Sequence, residues 1–159
     1  MGDEREILSY ELFGRAAREL ATAIADDGFR PDAIVAIARG GLTLAGALGY
    51  ALDVKMLGSL NVEFYTGVEQ TLAAPVVLPP TLDQDSLRGK SILLVDDVAD
   101  SGRTLSLVLQ LLQAGGGEVR TVCLYAKPQT VQEPDYVWRR TSRWISFPWS
   151  VEGPVGYPS

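Results

Sequence analysis

The sequence predicts an α/β domain: a mainly parallel sheet with helices on both faces, a lid or hood, and short strands toward the C-terminal end. Two unbroken apolar runs, AIVAIA (33–38) and ILLV within SILLVDD (91–97), have the composition of strands buried on both faces. Each is followed by a turn rich in small or polar residues and then by a helical pattern. Strands that alternate with helices build parallel sheets, and such sheets bind ligands beyond the carboxyl ends of their strands.

Taken in order, Leu12, Phe13, Ala16, Ala17, Leu20 and Ile24 recur at three- and four-residue steps, which predicts an amphipathic helix from Ser9 to Asp27, stopped by Gly28. After the first buried run, Arg39-Gly40-Gly41 breaks the strand ahead of an Ala/Leu-rich helix to about Leu52. Val54 to Tyr65 reads as extended chain. Thr66 to Leu87 has no helical period and carries Pro75, Pro79 and Pro80, so it is expected to be a long loop, the main part of a lid spanning about 61–90. Ser91 to Asp97 is the second buried strand, Arg103 to Ala114 a helix ended by three glycines, and Glu118 to Ala126 a third strand. The aromatic-rich remainder, with Tyr136, Trp138, Trp144, Phe147 and Trp149, suggests short strands and turns. The whole chain, 1–159, is expected to be a single domain without internal repeats.

Composition narrows the chemistry. Fourteen Lys and Arg against 20 Asp and Glu give a net charge of −6, and no basic block interrupts the chain, so a nucleic-acid partner is not expected. With no histidine and the single cysteine Cys123, a disulfide, a His/Cys zinc site and any Ser-His or Cys-His dyad are excluded within the chain. Acid–base work falls to Asp, Glu, Lys or Tyr. The charged start, MGDEREILSY, does not read as a signal peptide, and no apolar run approaches a membrane span, which predicts a cytoplasmic location without membrane attachment.

The informative segment is Ile92 to Leu105, ILLVDDVADSGRTL. A buried strand carries Asp96 and Asp97 to the sheet edge, and Asp100-Ser101-Gly102-Arg103-Thr104 turns into a helix. Backbone N–H groups, two hydroxyls and a helix N-terminus together form an anion site of phosphate size. Three carboxylates stand beside it. An ordinary strand-to-helix turn explains one acid and one hydroxyl as caps, but not adjacent acids after a buried strand.

Ile92 to Thr104 resembles the phosphoribosyl-pyrophosphate signature of the type I phosphoribosyltransferases. The resemblance implies that Asp100, Ser101, Gly102, Arg103 and Thr104 hold the 5′-phosphate, that Asp96 and Asp97 hold the ribose hydroxyls, and that Asp100 also faces the incoming base as the catalytic acid–base group. Ala38-Arg39-Gly40-Gly41 is similar to the family's pyrophosphate loop, often with a cis peptide bond; Arg39, Gly40 and Gly41 are its expected contacts. Glycines let amides approach an anion closely and a guanidinium holds phosphate in bidentate fashion. Alone, Arg-Gly-Gly is more often a turn with a solvated arginine. Tyr125-Ala126-Lys127-Pro128 followed by Trp144-Ile145-Ser146-Phe147-Pro148-Trp149 is similar to the purine-binding part of the xanthine-guanine-type enzymes, which assigns Lys127 to the 6-keto oxygen, Trp144 to stacking and Ile145 to the same pocket. Taken singly, Lys127 also fits a solvated strand end and Trp144 a packing aromatic.

What the resemblance implies is a transferase of purine salvage that moves the phosphoribosyl group from phosphoribosyl pyrophosphate to hypoxanthine, guanine or xanthine. It also implies Mg²⁺, with Asp96 and Asp97 near it directly or through water, and a homo-oligomer, a dimer or tetramer. Two alternatives stand beside it: a same-fold enzyme for orotate, uracil or adenine, and a non-catalytic sensor of phosphoribosyl pyrophosphate or a nucleotide. The sequence departs from the family pattern in the lid, which has Glu63-Phe64-Tyr65-Thr66-Gly67 and no basic residue from Thr66 to Leu87, and at Ser150, where the xanthine-guanine group tends to have an acid.

Overall fold

Ser9 opens helix α1 (Tyr10–Asp26) as its N-cap, its hydroxyl accepting the Leu12 N–H at 3.1 Å. The helix buries Phe13, Ala16, Ala17, Leu20, Ala21 and Ile24 along one stripe, as the spacing predicts, and Gly28 leaves it at φ +77°. Before it lies a strand the sequence does not announce, β1 (Arg5–Ile7). Three residues are too few to display a period, and its partner comes from the far end of the chain.

In the computed structural model, which describes residues 4–65, 74–77 and 82–157, the remaining elements follow the α/β order. They are β2 (Ala33–Ile37), α2 (Gly40–Ala51), β3 (Leu57–Leu60), β4 (Val62–Tyr65), β5 (Ala74–Val77) and α3 (Gln84–Leu87). Then come β6 (Ile92–Ala99), α4 (Arg103–Gln113), β7 (Val119–Ala126), β8 (Tyr136–Arg140) and β9 (Trp144–Ser146). The expectation of a bare loop from Thr66 to Leu87 is corrected. Within it, β5 pairs antiparallel with β4, and α3 follows with Asp83 as its cap. Proline at 75 hides β5 from a sequence reading, yet an edge strand tolerates it. Residues 66–73 and 78–81 lie outside the described part.

The main sheet has five strands in the order β3-β2-β6-β7-β8, every neighbouring pair parallel. Two small sheets stand apart from it, β4-β5 and β1-β9. Alternate residues of the central strands feed opposite faces. Ile34, Ala36, Leu93 and Val95 pack with α1 and α2, while Val35, Ile37, Leu94 and Cys123 pack with Leu105, Val108, Leu109 and Leu112 of α4. Burial on both faces is why β2 and β6 read as unbroken apolar runs. From β2 the chain moves outward to β3 on one side; from β6 it moves through α4 to β7 and β8 on the other. The order therefore reverses between β2 and β6, and the carboxyl ends of those two strands are where such a sheet forms a crevice.

Leu93 is wholly buried on the central strand beneath α2. Leu93→Ala is expected to lower stability by about 2–5 kcal/mol with an unchanged denaturant slope, measured by urea unfolding of the ligand-free protein.

Candidate active site

At the reversal point, two chain segments meet at backbone distance. An added Cβ at Gly40 would collide with the carboxylate of Asp97, and one at Gly41 with the carbonyl of Val95. The β2–α2 loop thus lies against the end of β6 with no room for side chains, and only glycine satisfies both positions. The Ala38–Arg39 peptide bond is cis, as the resemblance implied. Helix α2 starts at Gly40 and α4 at Arg103, with Gly102 at φ +80° as the α4 N-cap. Two helix N-termini, each the positive end of a helix dipole, therefore border one crevice.

The crevice encloses about 300 Å³ and is lined by Ala38, Gly40, Val62, Asp96, Asp97, Asp100, Ser101, Gly102 and Thr104, among others. Val62 sets the base of the β4–β5 hairpin at its edge. A larger depression of about 400 Å³, between α3 and the end of α4, has Asp85 and Arg88 as the only charged groups among its described lining residues, and they pair with each other at 2.8 Å. Volume does not select the site; the convergence of helix N-termini and acids does.

β6 runs two residues further than the sequence suggests, so Asp96 and Asp97 sit inside the strand, with Asp96 opposite Cys123 of β7. Asp96 Oδ1 accepts the Asp97 N–H at 2.8 Å, and Asp97 Oδ1 accepts the Val98 N–H at 2.7 Å. Burial, and then the neighbouring charge of Asp97, hold the Asp96 carboxyl well above the usual carboxylate range; burial raises Asp97 as well. Among the described residues no group of three or more His, Cys, Asp or Glu could hold a metal. Two adjacent desolvated carboxylates do match the few protein oxygens that Mg²⁺ takes when phosphates supply the rest.

Asp100 stands in the turn after β6, its Oδ1 accepting Gln129 Nε2–H at 2.7 Å. The Ser101 hydroxyl accepts the Arg103 N–H at 3.3 Å. Arg39 is exposed beside the crevice, Arg103 is exposed at the start of α4, and Gly41 is buried beneath the loop, acting as a spacer.

Lys127, Trp144 and Ile145 do not line the crevice; Lys127 adjoins its Ala99 edge, and Trp144 and Ile145 follow the residue that the Lys127 ammonium bonds. The Lys127 N–H bonds the Ala99 carbonyl at 2.9 Å, one residue before Asp100. The Lys127 side chain is 8% exposed, and its Nζ donates to the Arg143 carbonyl at 2.5 Å, immediately before Trp144. Trp144 is 68% exposed and free to present a ring face. The Ile145 side chain, in contrast, is buried in the α1/α2 core, so it has only backbone to offer a ligand. The segment is held by β1, in register Arg5↔Trp144, and by an aromatic series: Phe147 stacks on Trp149 at 5.0 Å, Trp149 meets Phe13 at 5.5 Å, and Phe147 meets Tyr125 at 5.9 Å. The role of the 127–132 loop, Gln129 included, carries no signal in the sequence, because its contacts are set by a turn that lies elsewhere in the chain.

Comparison with known proteins agrees with this architecture. Residues 4–154 match the phosphoribosyl transferase domain family. The chain is 35% identical over 147 residues to a xanthine-guanine phosphoribosyltransferase of Gluconobacter oxydans (strain 621H), covering 91% of this chain and 83% of that protein. A xanthine-guanine phosphoribosyltransferase of Ruegeria sp. (strain TM1040) is 34% identical over 156 residues, covering 91% and 84%. Among solved structures, the purine phosphoribosyltransferase from Pyrococcus horikoshii Ot3 superposes with a TM-score of 0.81 at 36% identity, covering 98% of this chain and 99% of that one. The Helicobacter pylori xanthine-guanine-hypoxanthine phosphoribosyltransferase gives 0.79 at 27% identity, covering 93% and 95%.

The acid pair yields a pH test. A folded carboxyl raised above its unfolded value of 3.8 stabilises the fold most while protonated, and that contribution is lost as pH rises through the raised value. Asp96→Asn is therefore expected to melt higher than the parent at pH 8 in the absence of ligand, with the gap closing toward pH 4. Thermal unfolding across this range checks it, and a variant less stable at pH 8 would contradict the assignment.

Proposed function

This chain belongs to the phosphoribosyl transferase domain family, and we propose that it transfers the phosphoribosyl group from phosphoribosyl pyrophosphate to a ring nitrogen of a 6-oxopurine. The products are a nucleoside 5′-monophosphate and pyrophosphate. The observation that carries this reading is the single crevice bounded by two helix N-termini, with Asp96, Asp97 and Asp100 between them and Lys127 bonded to its Ala99 edge.

The N-terminus of α4, with Ser101, Gly102, Arg103 and Thr104, takes the 5′-phosphate. Gly40 and its neighbouring amides, with Arg39, take the pyrophosphate. Asp96 and Asp97 accept from the ribose 2′- and 3′-hydroxyls. The bond from the anomeric carbon to the pyrophosphate oxygen breaks as the bond to the purine nitrogen forms, through an oxocarbenium-like ribose. Asp100 accepts the proton released by the purine N–H. Lys127, one N–H already given to the Arg143 carbonyl, directs another toward the 6-keto oxygen, and Trp144 stacks on the ring. Asp96 and Asp97 would help hold Mg²⁺, which when bound would neutralise charge on the departing pyrophosphate. We place this activity in purine salvage, in the cytoplasm and in a homo-oligomer.

In a panel of hypoxanthine, guanine, xanthine, adenine, uracil and orotate with phosphoribosyl pyrophosphate and Mg²⁺, the 6-oxopurines are expected to release pyrophosphate, and EDTA to stop it. Adenine offers an amino donor where Lys127 needs an acceptor, and is expected to be poorer by roughly 10⁴. Lys127→Ala should narrow that gap, whereas Trp144→Ala should weaken all purines alike. If adenine, uracil or orotate leads the panel, the base assignment fails.

Asp100→Asn should keep the turn but lose the proton acceptor, lowering turnover by about 10² to 10⁴ with little change in the KM for the donor. Steady-state kinetics of the pure variant give the answer, and turnover within threefold of the parent would remove Asp100 from the chemistry.

A further inference from the structure

We propose that Gln129 is a positioning residue for Asp100, fixing which carboxylate oxygen faces the purine; this rests on the proton-acceptor role given to Asp100 above. An ionised carboxylate only accepts hydrogen bonds, so the 2.7 Å contact between Gln129 Nε2 and Asp100 Oδ1 defines the amide orientation as well as the partner. With Oδ1 committed, Oδ2 is the oxygen left for an incoming N–H. The amide also carries no charge. It orients the acid without the competing attraction that a lysine or arginine would exert on a group that must bind a proton.

The backbone makes this arrangement rigid. The loop that bears Gln129 is latched to the turn that bears Asp100 on both sides of the side-chain contact. Lys127 N–H bonds the Ala99 carbonyl at 2.9 Å, and Val131 N–H bonds the Ser101 carbonyl at 2.8 Å. Thr130 N–H returns to the Lys127 carbonyl at 3.2 Å, and the Thr130 hydroxyl bonds the Gln132 carbonyl at 2.9 Å. Gly102 has no space for a Cβ, because Thr130 Oγ1 and the amide nitrogens of Val131 and Gln132 occupy it. The two segments are packed at backbone contact, and Gln129 spans a gap of fixed width. Without that bond Asp100 would be an exposed aspartate on a turn, free to sample other rotamers. A misplacement of about 1 Å in a reacting group can cost about 10²-fold in rate.

The same loop begins at Lys127. One short segment therefore sets both polar contacts proposed for the base: the lysine directly, and the acid through Gln129.

The test measures kcat and KM for the 6-oxopurine and for phosphoribosyl pyrophosphate in the parent, Gln129→Ala, Gln129→Leu, Asp100→Asn and the Gln129→Ala/Asp100→Asn double variant. Gln129 is exposed, and both of its variants are expected to melt within a few degrees of the parent. They should lose about 10- to 100-fold in kcat while the KM for phosphoribosyl pyrophosphate stays within threefold. In the Asp100→Asn background, Gln129→Ala should cost less than threefold more, because a residue acting through Asp100 has nothing left to position. A kcat within twofold of the parent, a loss confined to the KM for phosphoribosyl pyrophosphate, or a full additional loss on top of Asp100→Asn would overturn the proposal. A parent without transfer activity, or an Asp100→Asn variant with undiminished turnover, would instead overturn the reading of the site, and this inference with it.

Discussion

Asp97 fills the space that a side chain at Gly40 would need, and the Val95 carbonyl fills the space at Gly41. The ends of β2 and β6 can therefore lie side by side only if the intervening loop is bare backbone. Much of the crevice follows from that one contact. It draws the N-terminus of α2 to within reach of the acid pair, while β6 itself leads through Asp100 to the N-terminus of α4. The distance between the two helix N-termini is thus set by the packing of two central strands whose residues are buried on both faces, not by flexible side chains. A site built on rigid elements holds its spacing with little reorganisation on binding.

The parts of this arrangement that were legible in the sequence are those with a local physical signature. A strand buried on both faces must be apolar throughout, so β2 and β6 could be read; a helix with one buried stripe must repeat at 3.6 residues, so α1 and α4 could be read. The acids that interrupt ILLV, and the glycines that interrupt AIVAIA, stood out because nothing in a buried strand requires them. Strand order was not legible. The reversal between β2 and β6 is what brings the loop carrying Gly40 to Asp97, and hydropathy does not encode adjacency.

The rest was hidden because its causes are distant in sequence. β1 exists because β9 is there to pair with it, and β9 is held by Phe147 and Trp149 against Tyr125 and Phe13. The same packing turns Ile145 inward and leaves Trp144 outward, an alternation that a three-residue strand fixes but that aromatic content alone could not orient. The β4–β5 hairpin was obscured by Pro75, since a proline in an edge strand costs no ladder bond but looks like a break. Gln129 gave no sign at all, because its significance lies entirely in the partner it meets.

Three carboxylates in the site of a chain with net charge −6 oppose, by charge alone, a donor that bears phosphate at two places. The geometry resolves the conflict by separation. Backbone amides of α2 and α4 stand at the two ends, where anions are favoured, and the acids lie between them, where in the proposed reading only the sugar and the base edge arrive. The half-buried pair is poorly placed for charge: desolvation raises both the Asp96 and the Asp97 carboxyl. In the proposed reading that cost falls as the ribose gains positive character on losing pyrophosphate, because the carboxylates then face a cation in a partly desolvated crevice. Groups that are unfavourable in the free protein and favourable at the moment of bond cleavage stabilise the transition state more than the ground state. In that reading the acid pair is a local instability that the two-faced core of β6 sustains and that the proposed reaction relieves.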